Sequence, residues 1–289
     1  MIYIYRLLRN KSLLTTFQKT ELSRGLKTFL CPPAFNAILA ASGLKALMHK
    51  LNLMNKPKDY PQISVIICTL NEAGNLPYVL PRIPDWVDEV LLVDGHSTDA
   101  TVQIATKLFP KVRVLYQSGK GKGDALKCGI NQAQGEIIVT LDADGETPPE
   151  EIERFIQLLL DGNDFAKGSR LFRRRPPKMP RYRWFGNKVL ACTCNILYGT
   201  RFSDICCGYN AFWKSKYLKL NLSPGKNEIG CSLEQQMIVR AKKAGMKIQE
   251  VPFNSDGRIA GKSVIGNVRQ SVKQGFRDWF LIIGERFSK

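Results

Sequence analysis

The sequence predicts an α/β fold in which helices flank a mostly parallel sheet, preceded by a basic, amphipathic N-terminal extension. From residue 63 onward, short apolar runs rich in β-branched residues alternate with helix-like stretches, an order that is typical of parallel sheets. A second observation is that the residues after four successive apolar runs are polar, charged or glycine-rich. Open α/β sheets bind ligands at the carboxyl ends of their strands, so we expect a binding crevice at that edge.

The N-terminal extension, residues 1–60, is predicted to be a basic helical leader. It contains ten Lys or Arg residues against Glu21 and Asp59, together with apolar groups such as Leu7-Leu8 and Leu13-Leu14. This pattern is typical of a segment that lies on an anionic membrane surface, and equally of a helical hairpin that packs on the rest of the chain. Both interpretations stay open.

The formal net charge of +18 predicts an anionic partner, which could be nucleic acid, a phosphorylated substrate or an acidic membrane surface. The sequence carries no helix-turn-helix, RNA-recognition or zinc-finger signature, so nucleic acid is not an expected partner. No apolar run approaches the roughly 18–20 residues that cross a bilayer. We therefore expect a cytoplasmic protein without a membrane-spanning segment.

Residues 61–289 are predicted to form one domain with two halves, 61–165 and 166–289. Apolar runs predict strands at 63–69, 89–93, 112–116, 136–141, 165–169 and 247–253. Helix-like stretches lie between and after them at 75–80, 99–109, 124–133, 150–160, 187–197 and 233–244. The second half also contains a basic loop from Arg170 to Arg183, a Gly/Cys-rich segment and a C-terminal helix.

Two carboxylates, Asp142 and Asp144, follow the apolar run at 136–141. Side chains at i and i+2 on a strand point to the same side, so these two could share one ion, and Glu146 continues the series. An all-oxygen set suits Mg²⁺ or Mn²⁺, which bridge to substrate phosphates. The alternative is a polar turn before the next helix, because Asp-Gly and Pro-Pro also mark turns.

Two other chemistries compete with a metal and phosphate site. A glycosidase also uses two carboxylates, about 5–9.5 Å apart, but it has no use for the basic, glycine-rich loops at the neighbouring strand ends. A diphosphate leaving group requires both metal and positive charge. A Walker-type phosphate loop needs four residues between its glycine and Gly-Lys-Ser, whereas only three separate Gly257 from Gly261-Lys262-Ser263.

Seven motifs in order resemble those of the large inverting glycosyltransferase family 2, whose fold is called GT-A. They are Thr69-Leu-Asn-Glu72, Asp94-Gly-His-Ser-Thr-Asp99, Gly121-Lys-Gly123, Asp142-Ala-Asp144, Gly168-Ser-Arg170, Glu250-Val-Pro252 and Arg258-x-x-Gly-x-Ser263. The chain looks most like the dolichol- or polyprenyl-phosphate sugar transferases of that family.

Two motifs depart from the family pattern. The family's Asp-Asp-Gly-Ser reads Asp94-Gly-His-Ser97 here, so that the second Asp is lost. The usual Ser-Lys ending of the last motif reads Ser263-Val264, and the basic residue is moved to Lys262.

The resemblance implies a role for each matching residue. The base and ribose of a nucleotide would be bound by Thr69, Asn71, Glu72 and Asp94, with Lys122 near the diphosphate. The metal ion, Mg²⁺ or Mn²⁺, would be bound by Asp142, Asp144 and Glu146. The phosphates of donor and acceptor would be bound by Arg170 and Arg258, with Lys262 and Ser263 at the acceptor phosphate. Asp144 and Arg258 would be catalytic.

The resemblance also implies the reaction. A UDP- or GDP-sugar would donate its sugar, with inversion, to a polyprenyl or dolichyl phosphate, and the protein would be peripheral on the inner face of the membrane. The alternative acceptor is a hydroxyl of a glycan or small molecule. A phosphate monoester, with a second pKa of about 6, needs no strong base at neutral pH. A hydroxyl acceptor requires one, and Glu234 is then the candidate.

Overall fold

One seven-stranded sheet organises the protein. A computed structural model describes residues 60–172, 174–222, 232–261 and 267–288. Within them the strands are β1 (Ile63–Thr69), β2 (Glu89–Asp94), β3 (Arg113–Tyr116), β4 (Ile137–Asp142), β5 (Phe165–Ser169), β6 (Asn210–Trp213) and β7 (Ile248–Pro252). The predicted leader, residues 1–60, lies outside the described residues except for Tyr60.

The strand order is β3-β2-β1-β4-β6-β5-β7. β6 pairs antiparallel with both β4 and β5, and every other neighbouring pair is parallel. The register places Thr69 opposite Asp94 and Cys68 opposite Asp142. The carboxyl ends of β1, β2 and β4 therefore meet at one edge, and the predicted mostly parallel α/β sheet is confirmed.

The described helices are α1 (Leu76–Val79), α2 (Thr101–Leu108), α3 (Lys122–Gln132), α4 (Ile152–Leu160), α5 (Arg181–Tyr198), α6 (Lys214–Leu218), α7 (Ser232–Lys243) and α8 (Val268–Phe287). Short 3-10 turns at Leu80–Arg82 and Pro149–Glu151 follow α1 and precede α4. The predicted helices lie within a few residues of those observed, except that α5 begins six residues earlier than predicted, and α6 was not predicted.

The start of α5 and the strand β6 both differ from the prediction. α5 begins at Arg181 after Pro180, so Arg181 and Arg183 lie on a helix and their assignment to the basic loop is wrong. Pro180 has extended backbone angles and precedes the first helical residue, a position that proline tolerates. β6 was not predicted, because a strand of four residues inside a Gly/Cys-rich segment gives no periodic signal.

The core lies on both faces of the sheet. Along β4, Ile137, Val139 and Leu141 pack into one buried cluster, whereas Ile138 packs into the cluster on the other face. This alternation follows from the two-residue period of a strand. Because both faces are covered, β1 and β4 read as continuous apolar runs rather than alternating ones.

A third cluster joins the C-terminal helix to the domain. Leu190 of α5, Ile238 of α7 and Ile282 of α8 are buried together. The Trp279 indole also donates a hydrogen bond to Thr193 Oγ1 at 3.1 Å. These contacts fix α5 and α8 side by side next to the carboxyl edge of the sheet. Neither these helices nor any other described helix is long and apolar enough to cross a membrane.

Candidate active site

A cavity of about 1530 Å³ opens at the carboxyl ends of the strands. The loops after β1, β2, β3 and β4 line one side of it, and residues of α5 and α8 line the other. The four polar loops that the sequence places at successive strand ends therefore surround a single space. The predicted site residues that line this cavity are Thr69, Glu72, Lys122, Asp142, Asp144, Glu146, Arg170 and Arg258.

Asp142, the last residue of β4, binds the ammonium of Lys122, the first residue of α3. Lys122 Nζ also lies 2.6 Å from Glu234 Oε1 on α7. Burial alone would raise the pKa of Asp142, but Lys122 holds that pKa below its usual value. Gly208 makes room for the pair, because a Cβ there would lie 2.5 Å from Asp142 Oδ2 and 2.6 Å from Lys122 Nζ.

Asp144 lies in a turn, not on the strand. β4 ends at Asp142, and Gly145 has φ +80, a left-handed conformation that favours glycine. The Glu146 backbone N–H donates to Asp144 Oδ1 at 3.0 Å, which closes the turn. The same-side argument for Asp142 and Asp144 on a strand was therefore wrong, although the turn keeps both on the cavity.

Asp144 is buried beside two other carboxylates, which affect its pKa. Burial, and after it the Asp142 and Glu146 carboxylates, raise the pKa of Asp144 to about 7. The nearest cation among the described residues is Arg258, whose Nη1 lies 3.7 Å from Asp144 Oδ2. The Asp142 and Glu146 carboxylates are thus close enough to Asp144 to disfavour its charge, which a divalent cation would relieve.

Glu146, the third carboxylate, is bound by Arg170. Arg170 Nη1 lies 3.0 Å from Glu146 Oε2. The same guanidinium donates through Nε to Asp204 Oδ2 at 2.9 Å and through Nη2 to Asp204 Oδ1 at 3.3 Å. Arg170 therefore connects the loop after β4 with the segment that precedes β6.

Arg258 belongs to a loop that crosses the site. Its Nη2 binds Glu72, and its Nε has no hydrogen-bond partner within the described residues. The loop is held at two further points: the Ala260 N–H donates to Asn75 Oδ1 at 2.7 Å, and the Ile259 N–H donates to the Asp144 carbonyl at 3.1 Å. The two predicted residues that follow in this loop, Lys262 and Ser263, lie outside the described residues.

Among the described residues, each of the three expected metal ligands pairs with a cation: Lys122 for Asp142, Arg258 for Asp144 and Arg170 for Glu146. In this arrangement no three His, Cys, Asp or Glu side chains of the described ranges converge as metal ligands. The oxygen-only donor set and its mutual repulsion nevertheless fit Mg²⁺ or Mn²⁺. Lys122 and Arg258 lie beside the carboxylates of Asp142 and Asp144, which a divalent ion would also approach.

The remaining nucleotide-binding candidates divide into two groups. Thr69 and Glu72 line the cavity, whereas Asn71 and Asp94 do not. Asp94 is 1% exposed and accepts hydrogen bonds from Thr69 Oγ1 at 3.1 Å and from the Ser97 N–H at 2.8 Å. Asn71 has φ 57 and accepts a bond from the Thr98 N–H at 2.8 Å. The Asp94 and Asn71 side chains therefore stabilise the loops after β1 and β2.

His96 occupies the loop after β2 and lines the cavity. It has φ 64, which a residue other than glycine adopts rarely. Its Nε2 lies 2.9 Å from the Gln117 carbonyl, and its ring stacks on Tyr116 with centroids 6.0 Å apart. Because a carbonyl only accepts, Nε2 carries the proton and Nδ1 is the acceptor in the neutral ring.

Glu234 is buried in α7 and does not line the cavity, although its neighbour Gln235 does. Burial raises the pKa of Glu234, and the Lys122 ammonium opposes that rise. Its carboxylate is therefore placed to hold Lys122, not to reach an acceptor hydroxyl directly.

Three features of the site were missed in the sequence. Asp204 and Gly208 fall in a short Cys-rich segment that gave no motif. The apolar face of α8 had a readable signal, because Val268, Val272, Phe276 and Phe280 recur at intervals of four residues. That signal predicts an amphipathic helix.

Comparisons with known proteins agree with this geometry. The chain is 31% identical over 195 residues to glycosyltransferase AglJ of Haloferax volcanii, covering 66% of this chain and 61% of the relative. It is 31% identical over 212 residues to a dolichol-phosphate mannosyltransferase of Pyrococcus furiosus, covering 70% and 58%. The chain thus spans about three fifths of the length of these two relatives. A polyprenol monophosphomannose synthase of Mycolicibacterium smegmatis is also 31% identical over 224 residues, with 72% and 83% covered.

A solved structure shows the same fold. Glucosyl-3-phosphoglycerate synthase from Mycobacterium tuberculosis, in complex with Mn²⁺, UDP and glucosyl-3-phosphoglycerate, matches with a TM-score of 0.63 at 20% identity. The match covers 78% of this chain and 80% of that one. The predicted GT-A fold is thereby confirmed.

The family assignment rests on the sequence itself. Residues 64–220, more than half of the chain, match the model of glycosyl transferase family 2. This range contains five of the seven motifs and begins at β1. The chain therefore belongs to glycosyl transferase family 2.

Proposed function

We propose that this protein transfers a sugar, with inversion, from a nucleotide diphosphate sugar to a polyprenyl phosphate at a membrane surface. One observation carries the proposal: a single cavity joins the cluster of carboxylates and cations to an apolar groove between α5 and α8. A polyprenyl phosphate has this combination of properties, because a charged head and an apolar chain lie on one molecule.

The apolar end of the cavity is built by two helices. Its lining includes Met179, which precedes α5, and then Tyr182, Phe185, Val189, Leu190, Val272, Phe276 and Trp279. Burying an isoprenoid chain against such side chains is favourable by about 25 cal/mol per Å² of apolar surface removed from water. A polar glycan acceptor would gain less from these apolar side chains, although Asn187, Gln274 and Asp278 also line the cavity.

Exposed aromatic side chains on the same helices fit a membrane. Phe185 and Phe276, which line the cavity, are 65% and 58% exposed, and Phe280, which does not line it, is 64% exposed. Basic residues share the two helices with them: Arg181, Arg183, Lys188, Arg269, Lys273 and Arg277. Exposed aromatic residues beside Lys and Arg are typical of helices that lie in the interface of an anionic membrane.

At the polar end, Asp142, Asp144 and Glu146 would hold the divalent ion. When bound, that ion neutralises the diphosphate as it leaves the sugar. Lys122 and Arg258 lie beside the carboxylates and would bind phosphate oxygens once those carboxylates take the ion. The acceptor phosphate is ionised at neutral pH and attacks without a general base. This agrees with Glu234 being buried against Lys122 and away from the cavity lining.

The relatives support the acceptor class. The names of two of them specify dolichol phosphate and undecaprenyl phosphate as the molecules to which mannose is transferred. Both UDP- and GDP-sugars are therefore tested as donors.

A donor screen tests the proposal. Purified protein is incubated with a short polyprenyl phosphate and a panel of UDP- and GDP-sugars, with Mn²⁺ or Mg²⁺ and in excess EDTA. We expect at least one donor to give a glycosylated lipid phosphate only when metal is present. Absence of lipid product with every donor, or equal turnover in EDTA with metal-free protein, would contradict the proposal.

A further inference from the structure

The Arg170 guanidinium is held by carboxylates on two sides. Two of its nitrogens bind Asp204, Nε at 2.9 Å and Nη2 at 3.3 Å, and Nη1 binds Glu146 at 3.0 Å. Its side chain is only 12% exposed, and that of Asp204 is fully buried. This is the fork geometry in which arginine reads a carboxylate with two parallel bonds.

Asp204 is itself fixed from behind. It accepts a hydrogen bond from the Cys206 N–H at 3.0 Å, which closes a tight turn. On β7, Glu250 accepts bonds from the N–H of Ser203 at 2.7 Å and from the N–H of Asp204 at 3.2 Å. The segment that carries Asp204 is therefore tied to the sheet through the Glu250-Val-Pro252 motif.

Arg170 cannot easily leave this position. If the guanidinium turned Nε and Nη2 toward a phosphate, Asp204 would remain as a buried carboxylate without its arginine partner. Breaking a buried ion pair on one side is strongly unfavourable, because the remaining charge stays desolvated. The guanidinium therefore stays on Asp204 while its Nη1 reaches the cavity edge.

We propose that Asp204 is a positioning residue, which orients Arg170 so that Arg170 fixes the Glu146 carboxylate at the metal site. The inference rests on the proposed function, since it takes Glu146 as a metal ligand. It assigns Arg170 primarily to the metal site instead of the phosphates. The path runs from Glu250 through Asp204 and Arg170 to Glu146.

The test measures Mn²⁺ affinity, by the electron paramagnetic resonance signal of free Mn²⁺, in protein saturated with UDP or GDP. We expect Asp204→Asn to weaken Mn²⁺ binding about 10- to 100-fold, as removal of residues that orient metal ligands does. Glu285→Gln is the matched control, because it breaks a similar carboxylate–arginine pair with Arg240 between α8 and α7. It should leave Mn²⁺ affinity unchanged.

A double-mutant comparison separates positioning from general loss of structure. If Asp204 acts through Glu146, then Asp204→Asn should have little further effect on Mn²⁺ affinity in a Glu146→Gln background. Nucleotide binding in EDTA should be unaffected by Asp204→Asn. If Asp204→Asn does not fold, Arg170→Lys replaces it, because lysine keeps the charge but cannot bind both carboxylates as a fork.

The outcomes are distinct. Unchanged Mn²⁺ affinity in a folded Asp204→Asn or Arg170→Lys protein overturns the inference and leaves the proposed function standing. Weaker metal-free nucleotide binding with unchanged Mn²⁺ affinity also overturns it, and assigns Arg170 to the phosphates. Wild-type protein that binds no Mn²⁺ with either nucleotide overturns the proposed function and this inference together.

Discussion

The ammonium of Lys122 binds Asp142 at the end of β4. Arg258 approaches Asp144 in a comparable way, so that two expected ligands of the metal ion are paired with two expected ligands of the diphosphate. A metal ion at these carboxylates and a diphosphate at these cations would each break the same pairings. We therefore expect the binding of the two ligands to be mutually dependent.

We predict positive coupling between Mn²⁺ and the nucleotide diphosphate. Each should bind the protein at least about 10-fold more tightly when the other is present, and by linkage the two factors must be equal. Titration calorimetry of all four binding steps measures both factors. Independent binding of the two ligands would contradict the exchange of partners.

Lys122→Met should reduce this coupling. Without the ammonium, Asp142 is open to the ion, so that Mn²⁺ alone binds more tightly, whereas the nucleotide alone binds more weakly. Lys216→Met is the control, because Lys216 pairs with Asp164 at 3.0 Å and neither residue lines the cavity. A coupling factor as large as that of the wild type in folded Lys122→Met would show that Lys122 does not couple Mn²⁺ binding to nucleotide binding.

Gly208→Ala should lower activity about 10-fold or more with the fold retained. Its Cβ would lie within 2.6 Å of both Asp142 and Lys122, and small displacements of positioned groups are costly for catalysis. The control is Gly284→Ala on the exposed surface of α8, where a Cβ meets nothing within 4 Å. This change should stabilise the protein by about 0.5–1 kcal/mol. The measurements are steady-state kinetics and thermal unfolding, and full activity in Gly208→Ala would show that the pair tolerates displacement.

Phe280→Ser should weaken binding to anionic vesicles without affecting transfer to a short, detergent-soluble acceptor. Phe280 is largely exposed on α8 and does not line the cavity, so its contribution is expected at the membrane only. Leu218→Ser, an equally exposed change on α6, is the control. Co-sedimentation with vesicles at low and high salt gives the result, and binding should fall with salt because surface attraction is screened. Equal binding of all three proteins to anionic and neutral vesicles would contradict a docking face on α8.

Glu234→Gln should change the rate of transfer to a polyprenyl phosphate less than about 10-fold. The buried Glu234 carboxylate binds Lys122, so the substitution should mainly raise the KM for the donor. A general base contributes about 10²- to 10⁴-fold, and a loss of that size in kcat would restore the hydroxyl-acceptor alternative. Arg258→Ala is the comparison, because Arg258 lines the cavity and should be required for turnover.

The parts of the site that could be read from the sequence are those that depend on local pattern. Asp142 ends an apolar run, and the register of β1, β2 and β4 then brings the loops after these strands together without further information. The family resemblance supplied the roles of Lys122, Arg170 and Arg258 as expectations.

The parts that could not be read depend on contacts between distant segments. Asp204 contacts Arg170 because β5 and β6 pair antiparallel. The sequence near either residue contains no pattern that predicts this pairing. The strand geometry applied to Asp142 and Asp144 does not hold, because the chain turns at Gly145 soon after β4 ends, and a turn interrupts the two-residue alternation of a strand. The phosphate roles expected of Arg170 and Arg258 also ignored the carboxylates that now occupy their donors.

A competition assay tests whether the sugar is transferred to a lipid phosphate or to a lipid hydroxyl. Wild-type protein, Mn²⁺ and the preferred nucleotide sugar are incubated with equal amounts of a short polyprenyl phosphate and the corresponding free alcohol. Mass spectrometry of the lipid fraction then identifies which molecule carries the sugar. We expect to find the sugar on the polyprenyl phosphate, with little or none on the alcohol. Transfer to the alcohol at an equal or higher rate would contradict it.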